Sequence, residues 1–514
     1  MKRRSFVKHV GHSLAVPGIL GSMGFRMPNS KTLSDLLRMA TDTDRVLVMI
    51  YLEGGNDGLN TVVPLDQLSA LSSVRPHVIL PEDKLHTLSD ANIGLHPALS
   101  GLKSLYDENR FQILQNVGYP QQNYSHFRST DIWMSGSDSN VLVNSGWSGR
   151  FLNDLYPGYP DDYPNDSFTD PLSIELGYGS SLLFQGPQSS MSMVISDPNF
   201  FYELVDNEDR EVPDTLAGDK LKYIRVIEKQ SQQYGQVVKA AADKVKSQAN
   251  YPQTFLAQQL KIVSRLIAGG LKTPMYLVRL GGFDTHDAQV ESSDHTTGEH
   301  AELLTELNDA IMAFMADLEH LGTEDRVVGM TFSEFGRRIV SNASLGTDHG
   351  AAAPMFFFGN AVMGGVTGSN PIISSNADYD DNLEMEIDFR QAYSSILQQW
   401  LGADATGAES ALFQDFEQID IIGTRVLATP PKQGDGLLVY PNPLASVSTI
   451  RMAPTRERIS LDLIDLTGQK VATMYNGVVN QPKEIQWNSD QLPKGRYFVV
   501  MRGATTNRVF GVVK

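Results

Sequence analysis

The sequence predicts an α/β fold, a doubly wound and mostly parallel sheet, followed by a small β-sandwich. Three observations predict it. Short, largely apolar runs recur at 45–52, 111–117, 275–280, 326–332 and 354–359, as in strands buried on both faces. Helical patterns lie between some of them, clearest over 299–321, where Leu303, Leu304, Leu307, Ile311, Phe314 and Leu318 share one face. Beyond residue 436 the pattern becomes short alternating segments separated by turns.

Taken in order, the chain opens with a charged stretch, Met1 to Lys8, before a mildly apolar segment from Leu14 to Phe25. That is the pattern of a signal peptide, assigned to residues 1–30. Within it, Arg3-Arg4-Ser5-Phe6-Val7-Lys8 resembles the twin-arginine export motif, a route that carries folded proteins and so allows a cofactor to be loaded first. Residues 40–428 form the α/β domain. Residues 137–215, rich in Asp, Ser, Gly, Pro and Tyr, read as a loop-rich insertion near the mouth of the sheet, and 215–268 as one or two helices. Thr429 to Gly436 is a Pro- and Gly-rich linker. Residues 437–514 are the β-sandwich, with strands expected at 447–452, 459–465, 496–502 and 508–513.

Composition narrows the function. Of 514 residues, 41% are hydrophobic and 20% charged, an ordinary globular balance. The formal net charge of -18 repels a phosphate backbone and argues against nucleic-acid binding. There is no cysteine, so thiolate chemistry, disulfides and Cys-ligated zinc are excluded. No run approaches the ~20 apolar residues of a membrane helix, so no transmembrane span is expected.

In an open α/β sheet, ligands gather beyond the carboxyl ends of the strands. The segment after 45–52 carries Gly54-Gly55-Asn56-Asp57, glycines for a tight turn and a carboxylate. After 275–280 come Asp284 and His286, two apart and so on one side of an extended segment. After 326–332 come Glu334, Arg337 and Arg338, then Asp348 and His349 just ahead of the next strand. The segment after 111–117 holds Tyr124, Ser125, His126, Arg128, Ser129, Thr130 and Asp131. Asp57, Asp284, His286, Glu334 and His349 are the candidate ligands of a divalent metal: zinc, manganese, calcium or magnesium. Ser125 is the candidate nucleophile, with Ser129 and Thr130 as alternatives, and Arg128 or Arg337 would hold anionic ester oxygens. There is no G-x-S-x-G elbow, G-x-G-x-x-G loop or Walker pattern.

As an ordered set, Gly54 to Asn60, Ser125-His126-Phe127, Gly146 to Arg150, Phe283 to His286, Ser333 to Arg338 and Gly346 to Gly350 resemble the bacterial "domain of unknown function 1501" family over roughly residues 40–425. The resemblance implies the alkaline phosphatase and sulfatase type of fold. In that mapping Asp57 resembles the first metal-binding Asp, Asp284 and His286 the middle pair, Glu334 the next carboxylate and His349 a late histidine. Phe335 stands where a paired histidine is expected, which favours one metal over two. An alternative register places Asp348-His349 on the pair.

The C-terminal segments Val439 to Pro443, Leu463 to Val471 and Leu492 to Val499 are similar to the type IX secretion sorting domain. The resemblances imply a protein handled by the twin-arginine and type IX machineries, passing the periplasm to the cell surface or medium. They imply a metal-dependent hydrolase of phosphate or sulfate esters, on a small-molecule or glycan substrate. A non-catalytic surface protein of the same fold, binding a glycan or polymer, is the competing expectation.

Overall fold

The computed structural model describes residues 44–88, 91–177, 179–195, 234–423 and, with short gaps, 437–514. The expected signal segment 1–30, the linker 429–436, residues 215–233 of the expected helices and the end of the 137–215 insertion lie outside the described residues. So do residues 441–443 and 466–469 of the sorting motifs. The chain divides into two compact units, with the division after Ala428.

In the first unit the strands are β1 (Val46–Glu53), β2 (Val62–Pro64), β3 (His86–Leu88), β4 (Ile93–Leu95), β5 (Phe111–Gly118), β6 (Ser173–Leu176), β7 (Met193–Ile195), β8 (Met275–Gly281), β9 (Val327–Phe332), β10 (Arg337–Ser341), β11 (Thr347–His349), β12 (Ala353–Phe358), β13 (Gly365–Thr367) and β14 (Ile387–Asp388). A large sheet takes the order β13-β5-β12-β9-β1-β8-β6-β7, with β14 also paired to β5. Every pairing in it is parallel except those of β12, which runs against both β5 and β9.

The fold is the mixed α/β class expected. β1 and β5 are buried at nearly every position, which requires cover on both faces of the sheet. Helices Ser100–Asp107, Phe255–Ala268 and Glu299–Leu321 pack together as one group, and Trp147–Leu155, Phe389–Ser395 and Ala405–Leu412 as another. Glu299–Leu321 buries Leu304, Leu307, Ile311, Phe314 and Leu318 at helical spacing and stops at Gly322, whose φ of 65° suits a residue without Cβ.

One stretch differs from expectation. Residues 137–195 hold helix Trp147–Leu155 and strands β6 and β7, which extend the main sheet. Strands of four and three residues are too short to show alternation in a segment dominated by turn formers.

The reversed strand matters for the site. β1, β5, β8 and β9 end at one edge of the sheet, and β12, running the other way, begins there. The segments after four strands and the one before the fifth therefore meet at one edge.

The second unit has β15 (Leu437–Tyr440), β16 (Val447–Met452), β17 (Arg458–Asp465), β18 (Lys470–Val478), β19 (Lys483–Asn488), β20 (Arg496–Arg502) and β21 (Asn507–Val513). They form two antiparallel sheets, β15-β16-β19 and β18-β17-β20-β21. Its own core includes Ile450, Met452, Leu461, Leu463 and Val499. Among the described residues no helix is long and apolar enough to cross a membrane.

Candidate metal centre at the sheet edge

Three imidazoles and a carboxylate converge at this edge. Asp284 and His286 follow β8, His126 opens the helix after β5, and His349 ends β11 just before β12. His286 Nε2 lies 3.2 Å and His349 Nε2 3.1 Å from Asp284 Oδ1, while His126 Nε2 lies 3.4 Å from Asp284 Oδ2. His286 Nε2 and His349 Nε2 are 2.9 Å apart. Among the described residues, His126, Asp284 and His349 each offer a ligand atom within 4.8 Å of the others.

The other nitrogen of each ring is already committed. His286 Nδ1 is 2.7 Å from Asp348 Oδ1, His126 Nδ1 is 2.8 Å from Glu334 Oε1, and His349 Nδ1 is 2.8 Å from the Tyr124 carbonyl. A carbonyl and ionised carboxylates only accept, so each Nδ1 carries the proton and donates it. In the neutral rings all three Nε2 lone pairs then face the space around Asp284. Two bare lone pairs at 2.9 Å repel each other unless a proton or a cation lies between them. Carboxylates behind imidazoles are also the usual outer partners of metal-binding histidines.

The loops are brought this close by glycine. Gly54 has φ of 122°, and a Cβ there would lie 2.3 Å from Asp284 N. Its own N–H donates to Glu334 Oε1 at 2.9 Å. Phe335 is buried and packs its ring 4.9 Å from the His126 ring and 4.6 Å from that of His349. The position where a paired histidine was expected is thus apolar backing, and His126 supplies the third imidazole from another segment.

Arg337 ties the frame together. Its side chain is fully buried. It donates to the carbonyls of Gly55 (2.7 Å), Thr347 (2.8 Å), Phe283 (2.8 Å) and Gly54, and to Asp284 Oδ1 at 2.8 Å. Burial alone would raise the Asp284 carboxyl, but the surrounding groups, led by the hydrogen bond from Arg337, outweigh it and hold it down at about 2. The hydrogen bond to Glu334 raises His126 above the ordinary imidazole range despite partial burial, whereas burial lowers His349. Of the three carboxylates here, Asp284 is bonded to Arg337, Glu334 to His126 and Asp348 to His286.

Several of the expected residues lie apart from the histidines or face other partners. Arg337 points at backbone oxygens inside the fold, so it does not grip an ester. Arg128, two positions after His126 and on another face of the helix, donates to the carbonyls of Ser139 and Val141 at 3.0 and 2.7 Å. Asp57 does not join the histidines. It is fully buried, ion-paired with the equally buried Arg75, and accepts from Gln289 Nε2 at 2.6 Å and Leu59 N at 3.2 Å. Glu334 spends both oxygens on Gly54 N and one on His126, which makes it an orienting group. Ser125 is exposed at the N-cap of helix His126–Ser135, with no side-chain cap bond. Ser129 is buried and bonded to Tyr119, and Thr130 is bonded to Tyr51. Of the converging side chains, His126 was not among the expected ligands; the signal was its place after a strand, the same that marked Asp284 and His286.

The fold and site together are those of an α/β protein in which three oriented imidazoles meet a carboxylate beyond the strand ends. The chain belongs to the family described as protein of unknown function DUF1501, whose model matches residues 113–388. Residues 438–513 match the secretion system C-terminal sorting domain, of the type IX kind, which marks the chain for export to the cell surface or medium. No curated protein matches the sequence. Among solved structures, the chain is similar to a protein in the alkaline phosphatase superfamily from Vibrio parahaemolyticus, at 10% identity over 94% of this chain and 92% of that one, with a TM-score of 0.34. It is similar to the PsFucS1 sulfatase from Pseudoalteromonas sp., at 10% identity over 91% and 89%, TM-score 0.34. It is also similar to the phosphonate monoester hydrolase SpPMH from Silicibacter pomeroyi, at 9% identity over 91% and 88%, TM-score 0.31.

Proposed function

We propose that this protein is an exported metal-dependent hydrolase of phosphate or sulfate esters, with its reacting centre at His126, Asp284, His286 and His349. The observation that supports it most is the pair of facing Nε2 atoms of His286 and His349, each left unprotonated by the partner on its Nδ1. The donor set suits one divalent ion. Nitrogen-rich ligation favours zinc, manganese or iron over calcium and magnesium, which take oxygen. The separations of 2.9–3.4 Å are those of neighbouring ligands with bonds of ~2.0–2.2 Å.

Such an ion, when bound, supplies Lewis acidity at an ester oxygen. The protein's own groups do the rest. Asp348, Glu334 and the Tyr124 carbonyl hold the rings in one tautomer. Ser125 is the proposed nucleophile: its exposed hydroxyl precedes His126 at a helix N-terminus, where backbone N–H groups favour developing negative charge. The twin-arginine motif at Arg3-Arg4 is the proposed first export step.

The test is metal analysis of the purified chain together with hydrolysis of p-nitrophenyl phosphate and p-nitrophenyl sulfate, before and after chelation. Bound metal with chelator-sensitive hydrolysis supports the reading. Bound metal without hydrolysis of any ester leaves a non-catalytic binding protein.

A further inference from the structure

Beside the histidines lies a surface the ester chemistry does not use. Tyr379 is 56% exposed and its hydroxyl is bonded to Asp348, the partner of His286. Tyr124 is 40% exposed, and its carbonyl holds His349. Between them sits Arg338, whose guanidinium is 4.7 Å from the Tyr379 ring and 6.0 Å from that of Tyr124. Its Nε donates to the His349 carbonyl at 3.2 Å. Phe127, directly after His126, is 87% exposed. Exposed aromatic rings at the mouth of a polar site are a contact surface and not core.

We infer that this aromatic strip binds the sugar rings of a neutral glycan, so that the ester cleaved next to it is carried on a sparsely substituted polysaccharide. The inference rests on the cluster being the reacting centre, since it assigns what the ester's carrier lies against. A sugar ring has a flat C–H face that stacks on an aromatic ring and an edge of hydroxyls that donate to carboxylates. The strip offers both: the Tyr124 and Tyr379 rings, and the exposed carboxylates of Asp378, Asp380 and Asp381 in the loop around Tyr379. Those carboxylates interrupt any apolar track a lipid tail would need. With a net charge of -18 they also repel a polymer bearing a charge on every unit. Arg338 does not reverse this, because it is ion-paired with Asp380 at 2.7 Å.

The experiment uses the full chain and needs no hydrolysis. Binding of cello-, malto-, manno- and xylohexaose is measured by calorimetry, with heparin as the polyanion and with chelator present throughout. At least one neutral hexaose binds, and heparin binds more weakly. Tyr124→Ala, which keeps the backbone carbonyl, and Tyr379→Ala each weaken binding about two- to tenfold, while Tyr379→Phe keeps the stacking ring and most of the affinity. The inference is overturned if no hexaose binds, if heparin binds more tightly, or if both alanine variants bind as the parent does. Binding that passes these tests in a protein without esterase activity leaves the strip standing and removes the hydrolase reading. Hydrolysis of p-nitrophenyl esters without glycan binding does the reverse.

Discussion

His286 Nε2 and His349 Nε2 stand 2.9 Å apart, and in the neutral rings neither has a proton to put between them, because Asp348 and the Tyr124 carbonyl accept the Nδ1 protons. On the proposed reading this pair holds the cation. His286→Ala or His349→Ala should therefore strip most of the bound metal, measured by elemental analysis, and remove any esterase activity with it. Circular dichroism should stay at the parent's spectrum, since both side chains are partly exposed. Metal retained at parental stoichiometry in both variants refutes the site.

Partners behind the rings should matter nearly as much. Asp348→Asn and Glu334→Gln keep the shapes but weaken the acceptors for His286 and His126. Metal affinity, read by competition with a chromophoric chelator, should fall about 10–100-fold. Parental affinity in both would mean that the rings are oriented by packing on Phe335 alone.

Protons should compete with the ion at His126. The hydrogen bond to Glu334 raises its pKa, and a protonated ring has no lone pair to offer. As pH falls through that raised value, metal should be released, and binding at lower pH should liberate a proton. Retention of metal independent of pH down to acid conditions would contradict this.

Stability should show the opposite sign of shift at two other histidines. Burial holds His300 at about 4 and His96 at about 3, so both are neutral in the fold. The unfolded chain takes up their protons near pH 6.5, which the fold refuses. Stability should then be full above that value and fall as pH drops toward 4, by about 3 kcal/mol for His300. Urea denaturation at several pH values checks it, and His300→Gln should flatten the slope.

Asp57 is predicted to be a structural residue. Asp57→Asn leaves the Arg75 charge buried and unpaired, and should cost about 3–5 kcal/mol of stability. Metal content per folded molecule should not change. Loss of metal at full stability would restore Asp57 as a ligand.

Export offers a separate check. Replacing Arg3 and Arg4 together by lysine should trap the chain in the cytoplasm, as seen by fractionation, whereas unchanged export would exclude the twin-arginine route.

Much of the fold could be read from apolar runs. β1, β5, β8, β9 and β12 begin and end within a residue of the runs at 45–52, 111–117, 275–280, 326–332 and 354–359, because strands buried on both faces are mostly apolar. β6 and β7 were hidden in a turn-rich stretch, being too short to carry a pattern. At the site, Asp284, His286 and His349 were legible from strand ends. The true places of Asp57 and Arg337 were not, since a carboxylate after a strand looks the same whether it faces the crevice or a buried guanidinium such as that of Arg75. That is settled by packing between residues far apart in the chain, which spacing does not encode.

The Arg337 guanidinium is a planar fork of N–H donors with a fixed geometry. It binds Gly54 and Gly55 after β1, Phe283 and Asp284 after β8, and Thr347 in β11. The geometry around the histidines is therefore set before any ion arrives. The ion need not enter while the chain is folding. On the proposed reading, an empty molecule released from the cell would still be a competent receptor, and the identity of its metal would follow the supply of the compartment where the two first meet.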